Sequence, residues 1–538
     1  LPGSFLPARA AQLGVPKGPL FGKLQRGESV QLPDGRIIRP SDVMEPDTPG
    51  PVLVVVACPL KELIKSLSKH PSWSLYRGPQ QQHEVTCMFH FSPVDVVVLE
   101  EYQLFMDSFG MYCKHVMCHD KSYSPFTAFD KAECSQVLLN SIDSGVFRLQ
   151  PRSHHSAAEA QPPVDLSSPF LPGATDLILN IAPRKNFGFS TVEVKRNTDP
   201  EVVLRELDSM LPVLRATEEF KHAASVLESP LRAPDELEVT FLGTGSAVPS
   251  KYRSVTCIHL DLFEDGCILL DGGECSFSQF IRHVGIERLD DELLRIKLFW
   301  VSHMHADHHS GLYKFLLERR RVLLSRGMEP VDHRPLVMGP DSVQYYLHEV
   351  ELAGGPLDFE FLSNLCTLGP DHEHSRYFLE TFRLTLFQSV PVLHCNGGNA
   401  FACVLDHRKG WRFVFSGDTR PCPALVEAGR NATLLVHEAT FEENMEEDAR
   451  KKLHSTTAEA VQVAADMGAH RTVLTHFSQR YPHVPPIPAS CRHNTVIAFD
   501  MMTVNLADLD KVPLMTTAVE TLFAEEEDKL KNEDVDEG

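Results

Sequence analysis

Val301-Ser302-His303-Met304-His305-Ala306-Asp307-His308-His309 is the stretch from which the rest of the chain is read. Its six central residues, His303 to His308, carry three imidazoles and a carboxylate. They follow an apolar run, Leu298–Val301, and precede a helical pattern, Ser310–Leu324. Imidazole and carboxylate together suit zinc. A loop released from a strand end aims successive side chains in different directions. His303 and His305 can therefore share one ion, and Asp307 and His308 can face a second.

Further ligands are expected at later strand ends. His394 ends the apolar run Val390–Leu393. Asp418 follows the strand Trp411–Phe415 within Ser416-Gly-Asp-Thr419. His476 follows the strand Arg471–Thr475. Taken singly, these three read equally well as capping or core residues; as a set they complete two sites of four or five ligands. Asp418 is the natural bridge, since a carboxylate can give one oxygen to each ion. Asp307 can bind metal and also orient the attacking water. Two such ions can clamp a phosphodiester. The leaving oxygen still needs a proton. Glu438, after the strand Thr433–His437, and His454, before the helix Thr457–Met467, form a candidate acid pair. The plainer reading of His454 is a residue flanking a helix cap made by Ser455 or Thr456. His309, His372, His374 and His407 have no strand-end position and are read as surface histidines.

The surrounding pattern alternates short strands and helices. Glu238–Leu242 runs into Gly243-Thr-Gly245. Cys257–Phe263 and Cys267–Leu270 flank Glu264-Asp-Gly266 as a hairpin, and Ile296–Val301 is a buried strand. Before Pro234 the pattern differs. A Gly/Pro-rich stretch, Gly14 to Gly22, and the turn Pro33-Asp-Gly35 precede strand-like runs at Val52–Ala57, Thr86–Phe91, Val94–Leu99 and Leu177–Ile181. His154–Pro172 reads as a linker, and helices are expected at Glu201–Leu214 and Glu218–Leu227.

At 538 residues and 43% hydrophobic, the chain can bury a large core. No apolar run reaches the roughly 18 residues of a membrane helix. Thirteen cysteines without repeated spacing suggest a reducing compartment rather than a disulfide framework. The net charge of −22 weighs against broad nucleic-acid binding. The tail Glu525–Glu537 holds eight acids and two lysines, and local basic clusters such as Arg319-Arg320-Arg321 remain. The chain begins at Leu1 rather than Met, so it is read as starting inside a longer protein, with any targeting segment before it.

The whole motif series, in order, resembles tRNase Z, the endonuclease that removes the 3′ trailer from precursor tRNA. It comprises the Gly-Thr-Gly loop followed by Pro249-Ser-Lys-Tyr-Arg253, the His303–His308 hexad, His394, Ser416-Gly-Asp-Thr419, His437-Glu-Ala-Thr440, His454-Ser-Thr456, and His476-Phe-Ser-Gln-Arg-Tyr481. The resemblance covers roughly Glu238 to Asp500 and is to the long form of the family. It implies an α/β fold, the metallo-β-lactamase αββα sandwich, with a partial second, metal-free β-lactamase-like half at the N-terminus. The implied domains are 1–234, with a remnant of a tRNA-gripping arm near 14–35; a catalytic domain, 235–523; and an acidic tail, 524–538. It implies two zinc ions. One is held by His303, His305 and His394, the other by Asp307, His308 and His476, with Asp418 shared. Glu438 and His454 become the proton-donating pair. Lys251 and Arg253 become substrate contacts near the RNA 3′ end. The implied partner is precursor tRNA, with no membrane, in a monomer, and the implied compartment is nucleus or mitochondrion. Two departures stand out. Ser254 replaces the usual Asn, at a loop tied to CCA discrimination, and Asp271-Gly-Gly-Glu-Cys275 replaces Asp-Cys-Gly-Glu-Gly.

Two other readings remain. One is a hydrolase of the same fold acting on thioesters, lactams or mRNA ends; Glu438–His454 and the lysine–arginine loop favour tRNase Z over it. The other is a zinc-stabilised RNA-binding protein without activity, which would hold metal and cut no RNA.

Overall fold

The computed structural model describes residues 3–46, 50–79, 81–118, 130–149, 165–173, 177–181, 186–191, 200–207, 210–227, 232–366, 372–395, 399–479, 487 and 489–524. Most of the linker His154–Pro172, the residues Arg480 and Tyr481, and the tail from Glu525 lie outside the described residues. The chain divides into two compact units, Leu1–Phe126 with Ala157–Val194, and Thr127–Ser156 with Lys195–Gly538.

In the first unit a parallel sheet runs Val52–Val56, Val85–His90, Lys114–Met117, Phe170–Pro172. Val94–Leu99, expected as a strand, is instead helical over Val94–Val97. Pro93 sets its entry, and the adjacent pair Val96 and Val97 is buried while Val98 is exposed. Burial of neighbours rather than alternate residues suits a helix, and packing overrides valine's strand preference. Residues 14–35, expected at an arm's base, belong to a small module with its own core of Val15, Leu24, Val30 and Leu32. Its hairpin, Val30–Gln31 with Ile37–Ile38, turns at the expected Pro33-Asp-Gly35.

The second unit is a four-layer sandwich. One sheet has seven strands in the order Glu360–Ser363, Leu336–Gly339, Ile296–Trp300, Cys267–Leu270, Cys257–Asp261, Glu238–Gly243, Met502–Asn505. The other has six: Leu384–Pro391, Phe401–His407, Arg412–Phe415, Leu434–Glu438, Arg471–Thr475, Thr495–Ile497. The continuous apolar strands follow from burial on both faces. Leu298 and Trp300 point into the core between the sheets, as do Phe413, Phe415, Leu434 and Val436. Their neighbours Phe299 and Val301 point outward, against Phe280, Phe315 and Val343 of outer helices. Val414 and Leu435 likewise meet Leu425, Val463 and Met467 on the opposite outer layer.

The units do not divide at residue 234. Helices Asp130–Ile142, Pro200–Leu207 and Leu211–Ser225 go with the sandwich. Their apolar faces, including Leu138, Val203 and Phe220, share a core with Leu237, Val239 and Leu522. The helix expected over Glu201–Leu214 breaks before Leu211, because Pro212 is tolerated only in a first turn.

Trp300 is fully buried and ties the sheets together, its Nε1 donating to Ser389 Oγ at 3.0 Å. Trp300→Ala is expected to destabilise the sandwich by about 3–5 kcal/mol. A denaturant titration checks this, and a loss below about 1 kcal/mol contradicts the packing role.

Candidate metal centre and active site

The functional side chains collect where strands of both sheets end. The strand Ile296–Trp300 releases His303 to His308, the strand Arg412–Phe415 releases Asp418, and the strand Arg471–Thr475 releases His476. His394 lies just past the strand Leu384–Pro391. Local backbone makes these approaches possible. Gly417 has φ +55°, and a Cβ there would sit 2.6 Å from Phe401 O. Gly273 packs so closely under the hexad that a Cβ would fall 2.1 Å from Asp307 O. The altered Asp271-Gly-Gly sequence thus keeps glycine where contact demands it.

All seven expected ligands converge. His303 Nε2 lies 2.9 Å from His305 Nδ1, which lies 3.2 Å from His394 Nε2. On the other side, His308 Nε2 is 3.2 Å from His476 Nε2, and Asp307 Oδ2 is 3.6 Å and 3.4 Å from those two nitrogens. Asp418 stands between the sets. Its Oδ2 is 3.6 Å from His303 Nε2, 3.7 Å from His394 Nε2 and 3.3 Å from His308 Nε2; its Oδ1 is 3.4 Å from His476 Nε2. Donors around a tetrahedral zinc with bonds near 2.1 Å stand about 3.4 Å apart. The spacing and the nitrogen–oxygen donor set therefore fit bound metal.

Four of the five rings turn Nε2 inward because Nδ1–H is held outside. His303 Nδ1 meets Ser302 Oγ at 3.0 Å, and His308 Nδ1 meets Asp271 Oδ2 at 2.8 Å. His394 Nδ1 meets Leu453 O at 2.8 Å, and His476 Nδ1 meets Thr440 Oγ1 at 2.8 Å. Such partners fix tautomer and orientation. Asp271 also accepts from Ser302 N at 2.7 Å and Ser302 Oγ at 2.9 Å. It was missed in the sequence, although its place at the end of strand Cys267–Leu270 was the available signal. Asp307 is oriented by Ala247 N–H at 2.7 Å, which gives the Gly-Thr-Gly loop a local purpose.

Glu438 and His454 meet as expected, Oε1 to Nδ1 at 2.9 Å. Glu438 also accepts from Thr419 N at 2.9 Å, Thr440 N at 3.1 Å and Thr440 Oγ1 at 2.7 Å. Burial opposes charge on His454, but Glu438 and Asp418 outweigh it and raise its pKa to about 9. Burial likewise opposes charge on Asp418, and His308, His476 and His303 hold its carboxyl well below the usual range. Thr456 caps the following helix with Glu459, so the capping reading of this segment holds alongside the pair.

The remaining residues named from the sequence have these surroundings. Arg253 turns into the fold. It donates to Thr244 Oγ1 at 2.6 Å and Ala498 O at 2.7 Å, and it stacks on Phe477 and Phe499. Lys251 is exposed, above the Tyr252 ring at 4.7 Å. His309 and His407 are buried, not superficial. His309 Nδ1 bonds His305 O at 2.9 Å, and His407 stacks on Trp411. The cluster Arg319–Arg321 is not a free basic face. Arg319 is buried on carbonyls, Arg320 pairs with Asp358, and Arg321 pairs with Glu318 and Asp290.

A family model described as anti-Pycsar protein Apyc1 matches residues 237–488. The chain is 32% identical to a mitochondrial tRNase Z, TRZ3, of Arabidopsis thaliana, over 97% of this chain and 67% of that one. It is 33% identical to zinc phosphodiesterase ELAC protein 2 of Rattus norvegicus, over 98% of this chain and 64% of that one. The chain spans 63–67% of the length of the curated relatives it matches. Its fold is that of a long form RNase Z from yeast, with a TM-score of 0.66 and 21% identity over 86% of this chain and 72% of that one. Among the described residues, no helix is long and apolar enough to cross a membrane.

Asp271→Ala is expected to leave the far-ultraviolet circular dichroism unchanged and to weaken metal binding about 10–100-fold, measured by chelator competition. Unaltered affinity contradicts its orienting role.

Proposed function

Because the chain belongs to the tRNase Z family, we propose that it hydrolyses the phosphodiester joining a tRNA to its 3′ trailer. The cut falls after the discriminator base and leaves a tRNA 3′-hydroxyl ready for CCA addition. The convergence of two ligand sets on one shared carboxylate, Asp418, carries this reading. His303, His305 and His394 would hold one zinc, and Asp307, His308 and His476 the other. Bound there, the metals supply Lewis-acid stabilisation of phosphate charge and acidify the attacking water.

The chain's own groups do the rest. Asp307, fixed by the Ala247 amide, orients the water and draws its proton. His454 engages Glu438 through Nδ1, so Nε2 is the nitrogen that hands a proton to the departing 3′ oxygen. As that P–O3′ bond breaks, the phosphate stays with the trailer. Glu438 keeps the ring oriented, with both its own oxygens committed to neighbours. Lys251 is exposed and serves as the phosphate contact of the loop. Arg253 buttresses that loop from beneath. A mitochondrial site of action fits the names of the plant relatives.

Incubation with a precursor tRNA bearing a 3′ trailer tests the reading, with and without chelator. Cleavage is expected only without chelator, and Asp418→Ala should abolish it. Trailer removal by that variant contradicts the bridging role.

His454→Ala should slow precursor cleavage roughly 10²–10⁴-fold. It should barely slow hydrolysis of a nitrophenyl phosphodiester, whose leaving group needs no proton. Equal losses on both substrates would show that His454 is not the acid.

A further inference from the structure

We propose that the thiol of Cys395 is the outer partner of His305 and decides which nitrogen of that ring faces the metal position; the inference rests on the metal-centre reading above. Four of the five rings share one pattern, with Nε2 inward and Nδ1–H held outside by an oxygen. His305 is reversed. Its Nδ1 points inward, 2.9 Å from His303 Nε2 and 3.2 Å from His394 Nε2. Its proton must then reside on Nε2, outside. Cys395 Sγ lies 3.8 Å from that Nε2, within reach of an N–H···S hydrogen bond.

The backbone places the sulfur deliberately. Cys395 follows the ligand His394 directly and has φ +57°, a left-handed conformation that a residue with a Cβ seldom adopts. A neutral thiol is a weak acceptor compared with the carboxylate, carbonyl and hydroxyl oxygens behind the other rings. His305 is also the exposed ring, while His303, His308, His394 and His476 are buried. The softest hold thus falls on the most accessible ligand. Cys395 Sγ and one ring nitrogen each of His303, His305 and His394 lie within 4.8 Å of one another, so direct ligation by sulfur is the competing arrangement.

Cys395→Ala and Cys395→Ser in the full chain separate these cases. Each protein is loaded with Zn2+ or Co2+. Chelator competition reads affinity, and near-ultraviolet absorption of the cobalt form reads sulfur ligation. The unsubstituted cobalt protein should show no thiolate-to-cobalt charge-transfer band. Cys395→Ala should weaken binding about 10–100-fold, while Cys395→Ser, whose hydroxyl accepts the same N–H, should stay within about threefold of the unsubstituted chain. Affinity unchanged in Cys395→Ala overturns the proposal, as does a serine variant as weak as the alanine one. A charge-transfer band that Cys395→Ser abolishes overturns it in favour of ligation. Failure of the unsubstituted chain to take up any metal overturns the metal-centre reading, and this inference with it.

Discussion

Asp418 is the group on which the site depends. It is buried between two sets of ring nitrogens, with contacts of 3.3–3.7 Å to His303, His394, His308 and His476. A carboxylate so placed has lost its water, and so have the rings around it. Burial of that kind is costly unless charge and lone pairs are matched. Cations among these donors match them. The rest of the unit can be seen as the scaffold that brings one oxygen of each needed kind, and five correctly turned nitrogens, to one place.

That turning comes from residues that never meet the substrate. Ser302, Asp271, Leu453 O and Thr440 each hold an outer nitrogen. Thr440 also donates to Glu438, so the hydroxyl behind the His476 ring also steadies the carboxylate paired with His454. The clustered rings and the Glu438–His454 pair are therefore mechanically one assembly, and substitutions in either should show strong non-additivity.

The sequence made the sandwich legible because its strands are apolar on both faces and its ligands stand at strand ends. The hexad could be read from spacing alone. The outer partners could not. Asp271 and Cys395 lie 37 and 90 positions from the rings they face, His308 and His305, and only the folded backbone aligns them. The resemblance implied an RNA contact for Arg253, and nothing in the sequence signalled its stacking on Phe477 and Phe499, which depends on a distant segment. Val94–Val97 misled for the opposite reason, since local preference gave way to packing behind Pro93.

The sandwich closes late. Its first strand, Glu238–Gly243, is flanked on one side by Met502–Asn505, near the end of the unit. The converging rings and carboxylates themselves span His303 to His476, and contacts this remote form slowly. A chain still emerging from the ribosome holds the hexad for many seconds before His476 exists. The gathering of these rings must therefore follow synthesis, and any metal held between them joins a chain that is already complete.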